Sequence, residues 1–155
     1  MSSNSVTLHL VLKASPAKVF RAFSDADAYA SWLQPYGYIC KVHQMDFKIG
    51  GSYKMASINF DTGTSHSFGG KFLEIRNNEF IKHTVQFDDP HMPGETMTTI
   101  ELKAVICGTD ITIVQTAIPV AIPTALCYLG WQDSLEKLKR LVEPNIPEDI
   151  DAAFL

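Results

Sequence analysis

His83 is a polar exception within an apolar, β-rich run, EFIKHTVQF at residues 79–87. Alternate residues of a strand share one face, so His83 falls on the same side as Ile81, Val85 and Phe87. An imidazole on such a face is either a hydrogen-bonded core residue, which is the commoner case, or a polar contact for a ligand. Both interpretations stay open.

Gln115 is a second polar exception, on the face that it shares with Ile111, Ile113 and Ala117 in the run 109–118. An apolar chamber with a few convergent polar groups is the general form of a small-molecule site, so we expect a hydrophobic ligand with one polar end. Among the aromatic candidates, Trp131 has a competing role as an ordinary core anchor. The predicted ligand-binding residues are Trp32, Tyr53, Met55, His83, Val85, Phe87, Gln115, Tyr128, Trp131 and Leu135.

Side chains suited to catalysis or metal binding are not grouped along the chain. The sequence has no GxSxG and no HExxH motif, and its five histidines are too scattered to suggest metal ligands. The carboxylates at Asp88, Asp89 and residues 148–151 fall in turn-like or tail segments, where a solvated surface is the default. We therefore name no catalytic residue and expect no metal and no cofactor, and an enzyme ranks behind a binding protein.

The composition indicates one folded domain and argues against several classes of function. Of 155 residues, 46% are hydrophobic and 19% are charged, against a typical charged fraction of about 25%, which excludes disorder. The formal net charge is −4 and there is no basic run, so the chain lacks the phosphate-neutralising surface that nucleic acids require. A nucleic-acid partner is not expected.

The cysteines and the hydropathy pattern indicate where the protein resides. Cys40, Cys107 and Cys127 are odd in number and form no CxxC pair, which favours reduced thiols and a cytoplasmic location. The N-terminal residues lack the pattern of a secretion signal. No window holds the ~18 apolar residues that a membrane-spanning helix needs. We expect a protein that is neither exported nor membrane-spanning.

The order of elements follows from periodicity and turn signals. Alternating apolar residues predict a first strand at residues 5–13, and Ser15 followed by Pro16 predicts the start of a short helix. Ser24 and Asp25 offer the cap of a second helix, which Pro35 ends. Between residues 38 and 118, repeated β-rich runs separated by Gly, Asn, Asp and Pro predict six further antiparallel strands.

After Pro123 the apolar period changes to that of a helix. Cys127, Trp131, Leu135, Leu138 and Val142 form one stripe, which predicts a long amphipathic helix. A helix of about 20 residues spans ~30 Å, so it can cover the apolar face of a curved sheet and enclose a volume beside it. We predict one α+β domain at residues 1–143, followed by a tail at 144–155 whose Phe154 and Leu155 are able to dock.

One strand shows conflicting side-chain parity. Tyr53 and Met55 lie on one side of the run 52–60, and Ile58 and Phe60 lie on the other. This pattern indicates either a β-bulge or burial of both faces, and the register of the strand stays undetermined from the sequence.

An ordered set of short motifs resembles the domain of the activator of heat-shock-protein-90 ATPase homologues, within the SRPBCC, START-like superfamily that includes the birch-pollen allergen. The resemblance spans about residues 5–143 and is carried by SPAKVFRAFSD at 15–25, Trp32, GGSYKM at 50–55, GKFLEI at 70–75, TDITI at 109–113, and the pair Gly130-Trp131. It implies a helix-grip fold, in which a seven-stranded antiparallel sheet curves around the C-terminal helix, with two small helices between the first two strands.

The resemblance implies a fold more firmly than a function, because this superfamily includes lipid carriers, hormone receptors, cyclases and co-chaperone domains. Our first hypothesis is non-catalytic binding of a small hydrophobic or amphipathic molecule between sheet and helix. The alternatives are a cyclase or dehydratase that uses His83 with Tyr53 or Tyr128, and a regulator of a chaperone ATPase or another protein-interaction module. A homodimer formed through a sheet edge or residues 36–39 is also left open.

Overall fold

The computed structural model describes residues 4–147, which form one antiparallel sheet and three helices. The helix-grip architecture and α+β class predicted from the sequence are confirmed. The strands are β1 (Val6–Leu12), β2 (Tyr38–Met45), β3 (Ser52–Asn59), β4 (Ser65–Arg76), β5 (Phe80–Phe87), β6 (Thr96–Val105) and β7 (Gly108–Thr116), and the helices are α1 (Pro16–Ser24), α2 (Ala26–Trp32) and α3 (Thr124–Val142). In residues 4–147, no helix has the length and apolarity needed to span a membrane.

The seven strands are ordered β1-β7-β6-β5-β4-β3-β2, so the first two strands in sequence form the two edges. Two irregularities interrupt the ladder, one in β2 between Val42 and Gln44 and one in β4 between Phe72 and Glu74. An extra residue in one strand bends it and increases its twist. Both irregularities lie in the half of the sheet that contains β2, β3 and β4.

The two short helices begin at the predicted capping residues. The Ser15 hydroxyl accepts a hydrogen bond from the Lys18 amide (3.2 Å), and Pro16 occupies the first turn of α1. The Asp25 carboxylate accepts from the Ala28 amide (3.0 Å) at the start of α2. These caps satisfy amide groups that would otherwise lack partners at the helix ends, and they set the sharp turn between α1 and α2.

The two short helices close one end of the core with an aromatic cluster. Trp32 is fully buried, and its ring lies 4.9 Å from that of Phe23 and 5.2 Å from that of Tyr29. The Trp32 indole N–H donates to the carbonyl oxygen of Ala22 (2.9 Å). The polar atom of this large side chain is thus satisfied inside the core.

The structure resolves the parity conflict in β3. Tyr53 and Met55 face the interior, with 5% and 0% of their surfaces exposed. β3 ends at Asn59, and Phe60 lies beyond that end with 73% exposure. Phe60 is therefore outside the strand, and the alternation of inward and outward side chains does not apply to it. The register irregularity lies in the neighbouring β2, not in β3.

The predicted inward position of Ala117 is wrong. β7 ends at Thr116, and Ala117 follows in a turn with a φ of 58° and an exposed side chain. Strand alternation therefore stops one residue before it. The predicted docking of Phe154 and Leu155, and the acidic run 148–151, lie outside the described residues.

Candidate functional site

A cavity of about 430 Å³ lies between the inner face of the sheet and α3, and it opens to solvent. No Asp, Glu, Lys or Arg occurs among its lining residues, which come from α2, the strands β2 to β5 and β7, α3 and three loops. They are Tyr29, Leu33, Gln34, Pro35, Tyr38, Tyr53, Ser57, His66, Phe68, His83, Val85, Phe87, Met92, Gln115, Ile122, Cys127, Gly130, Trp131 and Ser134. The lining is mostly aromatic and aliphatic, with a few uncharged polar groups.

Six of the ten residues singled out from the sequence line this cavity. They are Tyr53, His83, Val85, Phe87, Gln115 and Trp131. Strand parity places the β5 and β7 members on the concave face, and Trp131 reaches the same space from α3. Their contact with a ligand stays a prediction.

The other four predicted residues lie elsewhere. Trp32 and Met55 are completely buried in the core and do not line the cavity. Tyr128 is 40% exposed because it follows Cys127 by one residue, which rotates its side chain ~100° around the helix. Leu135 follows the cavity-lining Ser134 by one residue and does not line the cavity itself. Leu135 and Tyr128 both border a separate groove between α3 and β1.

His83 is held by a network of hydrogen bonds on one side of its ring. The Tyr53 hydroxyl donates to the carbonyl oxygen of Thr84 at 2.5 Å and lies 3.2 Å from His83 Nδ1. The same Nδ1 lies 3.2 Å from the Thr84 carbonyl oxygen. The shorter contact assigns the single Tyr53 proton to Thr84. Since a carbonyl oxygen only accepts, we assign the ring proton of His83 to Nδ1, which lets Nδ1 donate to Thr84. Nε2 is then the unprotonated acceptor of the imidazole.

Burial keeps His83 neutral. The side chain is 6% exposed, and desolvation lowers its pKa to about 4, although the hydrogen bond to Thr84 partly opposes this shift. Burial also raises the pKa of the Tyr53 hydroxyl, so that group stays protonated. Near neutral pH, His83 and Tyr53 therefore carry no charge at the wall of the cavity.

Gln115 connects the sheet to α3. Its amide nitrogen donates to Thr98 Oγ1 on β6 (2.9 Å), and its amide oxygen accepts from the Trp131 indole N–H (2.9 Å) and from the Cys127 thiol (3.3 Å). The interpretation of Trp131 as a core anchor thus describes one part of its role, because the same side chain also lines the cavity. The orientation of the amide is fixed by its three partners.

Gln34 is a lining residue that sequence reasoning missed. Its backbone has a φ of 122°, a region that residues other than glycine rarely adopt. Its backbone N–H donates to Ser134 Oγ on α3 (3.0 Å), and its side-chain oxygen accepts from Ser57 Oγ on β3 (2.8 Å). These two contacts hold the α2–β2 junction against both the helix and the sheet, and they offset the cost of the strained backbone.

A helical spacing signal was available for part of the missed lining. Cys127, Gly130, Trp131 and Ser134 lie three or four residues apart and share one face of α3. Gly130 is the smallest of them, and a Cβ added to it would lie 3.3 Å from Pro35 Cγ across the cavity. The loop residues at positions 92 and 122 carried no comparable signal, because tertiary packing alone brings them to the site.

A long curved antiparallel sheet closed by a C-terminal helix, with an uncharged cavity between them, defines a protein of the START-like, helix-grip class. The sequence profile of the family described as activator of Hsp90 ATPase homolog 1-like protein matches residues 13–143. The chain belongs to this family. No curated protein matches it at a significant level.

Solved structures with the same fold include three bacterial relatives. Protein CV1439 from Chromobacterium violaceum is 50% identical, with a TM-score of 0.90 and coverage of 92% of this chain and 99% of that chain. The AHSA1 protein from Silicibacter pomeroyi is 18% identical (TM-score 0.75, coverage 88% and 95%), and protein NE0264 from Nitrosomonas europaea is 19% identical (TM-score 0.74, coverage 88% and 92%). The last two comparisons bear on the fold alone.

Proposed function

We propose that this protein binds a small hydrophobic or amphipathic molecule in the cavity between the sheet and α3, without chemical conversion. The observation that carries the proposal is an apolar cavity of about 430 Å³ with no ionised lining residue and with His83, Gln115 and Trp131 directed at it. This volume lies within the ~300–1,000 Å³ that small-molecule sites occupy. The three free cysteines favour a reducing compartment, the cytoplasm, as its location.

The geometry of His83 and Tyr53 supports recognition better than acid–base catalysis. The two groups are within hydrogen-bond distance, but the Tyr53 proton is already donated to Thr84. With a pKa of about 4, His83 is a weak proton acceptor near neutral pH. The geometry therefore supports binding better than a cyclase or dehydratase activity. Regulation of a chaperone ATPase draws support only from the name of the family.

Filling the cavity from α3 tests the proposal. Cys127→Phe places an aromatic ring into the space, whereas Leu129→Phe adds an aromatic ring at a position of the same helix that is 55% exposed. We expect native mass spectrometry of wild-type protein and of Leu129→Phe, incubated with a mixture of uncharged aromatic and aliphatic compounds, to show bound molecules. Cys127→Phe should show none while retaining the wild-type circular dichroism spectrum. Equal occupancy in all three proteins would contradict binding at this site.

A further inference from the structure

His83 carries a polar atom without a protein partner at the wall of the cavity. Nδ1 makes both of the hydrogen-bond contacts of the ring, with Tyr53 and with Thr84. Among residues 4–147, no buried side-chain nitrogen or oxygen is left without a hydrogen-bond partner. Nε2 has no hydrogen-bond partner in this part of the chain, so it is not a fully buried atom. Because His83 lines the cavity, we infer that Nε2 is accessible from the cavity.

The tautomer defines what Nε2 is able to bind. Because Nδ1 holds the proton, Nε2 presents a lone pair and accepts a hydrogen bond. A group that presents only acceptors, such as an ether oxygen or a carboxylate, faces this lone pair with no proton between them. A hydroxyl or an N–H group supplies the proton that the contact needs.

The lack of charged residues in the cavity lining also favours an uncharged ligand. A carboxylate taken from water into this cavity meets no Lys or Arg among the lining residues. Burial of an unpaired charge is strongly unfavourable. The only other lining imidazole, His66, has an exposed side chain, so it is not a buried partner for a charged group beside His83.

From these two observations we propose that the ligand is an uncharged hydrophobic molecule whose polar end is a hydroxyl or N–H group that donates a hydrogen bond to His83 Nε2. This inference rests on the proposed function and specifies its ligand class. The apolar body of the molecule then lies against the aromatic walls formed by Phe68, Phe87 and Trp131. A ligand without a donor covers Nε2 and offers it no hydrogen bond, so a buried acceptor is left unsatisfied.

Three probes with one bicyclic aromatic body separate the alternatives: naphthol has a donor, methoxynaphthalene has none, and naphthoate carries a negative charge. We expect calorimetric titration near pH 7 to show naphthol binding roughly tenfold more tightly than methoxynaphthalene, which is the effect of leaving one buried acceptor unsatisfied. Naphthoate should bind more weakly than naphthol by at least the same factor. His83→Phe should remove the advantage of naphthol and retain binding of methoxynaphthalene.

The matched control is His43→Phe, the same substitution at an exposed histidine outside the cavity, which should keep the preference for naphthol. If His83→Phe does not fold, long-range nitrogen–proton NMR spectra of the wild-type protein report the contact directly. Naphthol should move the Nε2 resonance of His83 in the direction of hydrogen bonding, and methoxynaphthalene should not. Absence of that movement with bound naphthol would overturn the assignment.

The outcomes distinguish this inference from the proposed function. If methoxynaphthalene or naphthoate binds as tightly as naphthol, the cavity is a binding site and the inference about the donor is wrong. If none of the three compounds binds up to its solubility limit, the proposed function fails for compact aromatic ligands, and the donor inference fails with it.

Discussion

Trp131 on α3 donates a 2.9 Å hydrogen bond from its indole nitrogen to the side-chain oxygen of Gln115 on β7. The contact lies beside the cavity and joins the helix to β7, the second strand from the β1 edge of the sheet. Gln115 in turn donates to Thr98 on β6, so the helix is connected through one amide to two strands. This relationship links the stability of the helix-grip fold to the shape of the cavity.

Removing the indole N–H tests that link. Trp131→Phe keeps an aromatic ring in place but leaves the Gln115 oxygen with only the weak Cys127 thiol donor. We expect the free energy of unfolding, measured by urea denaturation, to fall by about 1–3 kcal/mol. In a double-mutant cycle with Gln115→Leu, the two losses should be less than additive, because either substitution removes the same bond.

Trp32 provides the comparison for this prediction. Its indole also donates one buried hydrogen bond, to Ala22, but it does not line the cavity. Trp32→Phe should lower stability by a similar amount without changing ligand affinity, whereas Trp131→Phe should change both. Strictly additive losses in the Gln115 cycle would show that the 2.9 Å contact contributes nothing to stability.

Acid should destabilise the protein through His83. Its pKa is lowered to about 4 in the folded state, against about 6.5 in an unfolded chain. Between about pH 6.5 and 4 the unfolded chain binds a proton that the folded protein does not, so stability is complete above this window and falls as the pH is lowered through it. The loss should approach about 3 kcal/mol.

His83→Phe isolates this contribution from the titration of carboxylates, which is common to both proteins. Urea denaturation from pH 7 to pH 4 should show a steeper decline for wild-type protein than for the variant, even if the variant starts from a lower stability. Parallel pH profiles would mean that His83 is protonated as readily in the folded protein as in the unfolded chain.

Gly70 should not tolerate a side chain. It lies in β4, and a Cβ built on it would be 1.9 Å from the carbonyl oxygen of Thr84, the same carbonyl that accepts from Tyr53. Because a backbone atom cannot move aside cheaply, we expect Gly70→Ala to cost more than about 3 kcal/mol, measured by chemical denaturation. The change should also displace His83, whose Nδ1 contacts the same oxygen.

Gly130→Ala is the control for that substitution. Gly130 lies in α3, where alanine is favoured over glycine by about 1 kcal/mol, and its added Cβ meets only a Pro35 ring atom at 3.3 Å. Stability should therefore stay level or rise. A similar loss in both variants would show that the backbone approach at Gly70 is not the cause.

The fold was predictable because its signals are local. Alternation in β1 and β5, the caps at Ser15 and Asp25, and the helical stripe of α3 each act over a few residues. The part of the site that lies on β5 and β7 followed from the same alternation. Inward-facing side chains of regular strands thus become cavity residues wherever the helix leaves them uncovered.

The rest of the site depends on where elements stop and how they meet. Gln34 reaches the cavity because Ser57 and Ser134 hold a backbone conformation that its sequence does not favour. Met92 and Ile122 arrive from loops whose course depends on the whole fold. Trp32, another predicted ligand-binding residue, is not among the lining residues, and its indole donates a hydrogen bond to Ala22 within the core.

The three cysteines provide a probe of the cavity that requires no substitution. Cys107 is exposed in the β6–β7 turn, Cys127 lines the cavity and is partly buried, and Cys40 is 8% exposed. Burial raises the pKa of Cys127, and it raises that of Cys40 to about 11. Since the thiolate is the reactive form, iodoacetamide near neutral pH should label Cys107 first, Cys127 more slowly and Cys40 last.

A molecule bound in the cavity should change only the alkylation rate of Cys127. A molecule bound beside Gln115 and Trp131 blocks access to the Cys127 thiol and leaves the turn that carries Cys107 unaffected, so Cys107 is an internal control in the same molecule. Peptide mass spectrometry after timed alkylation, with and without naphthol, measures both rates together. Protection of Cys127 with an unchanged rate at Cys107 is the expected result. If saturating naphthol slows both cysteines equally or neither, the molecule is bound somewhere other than between the sheet and α3.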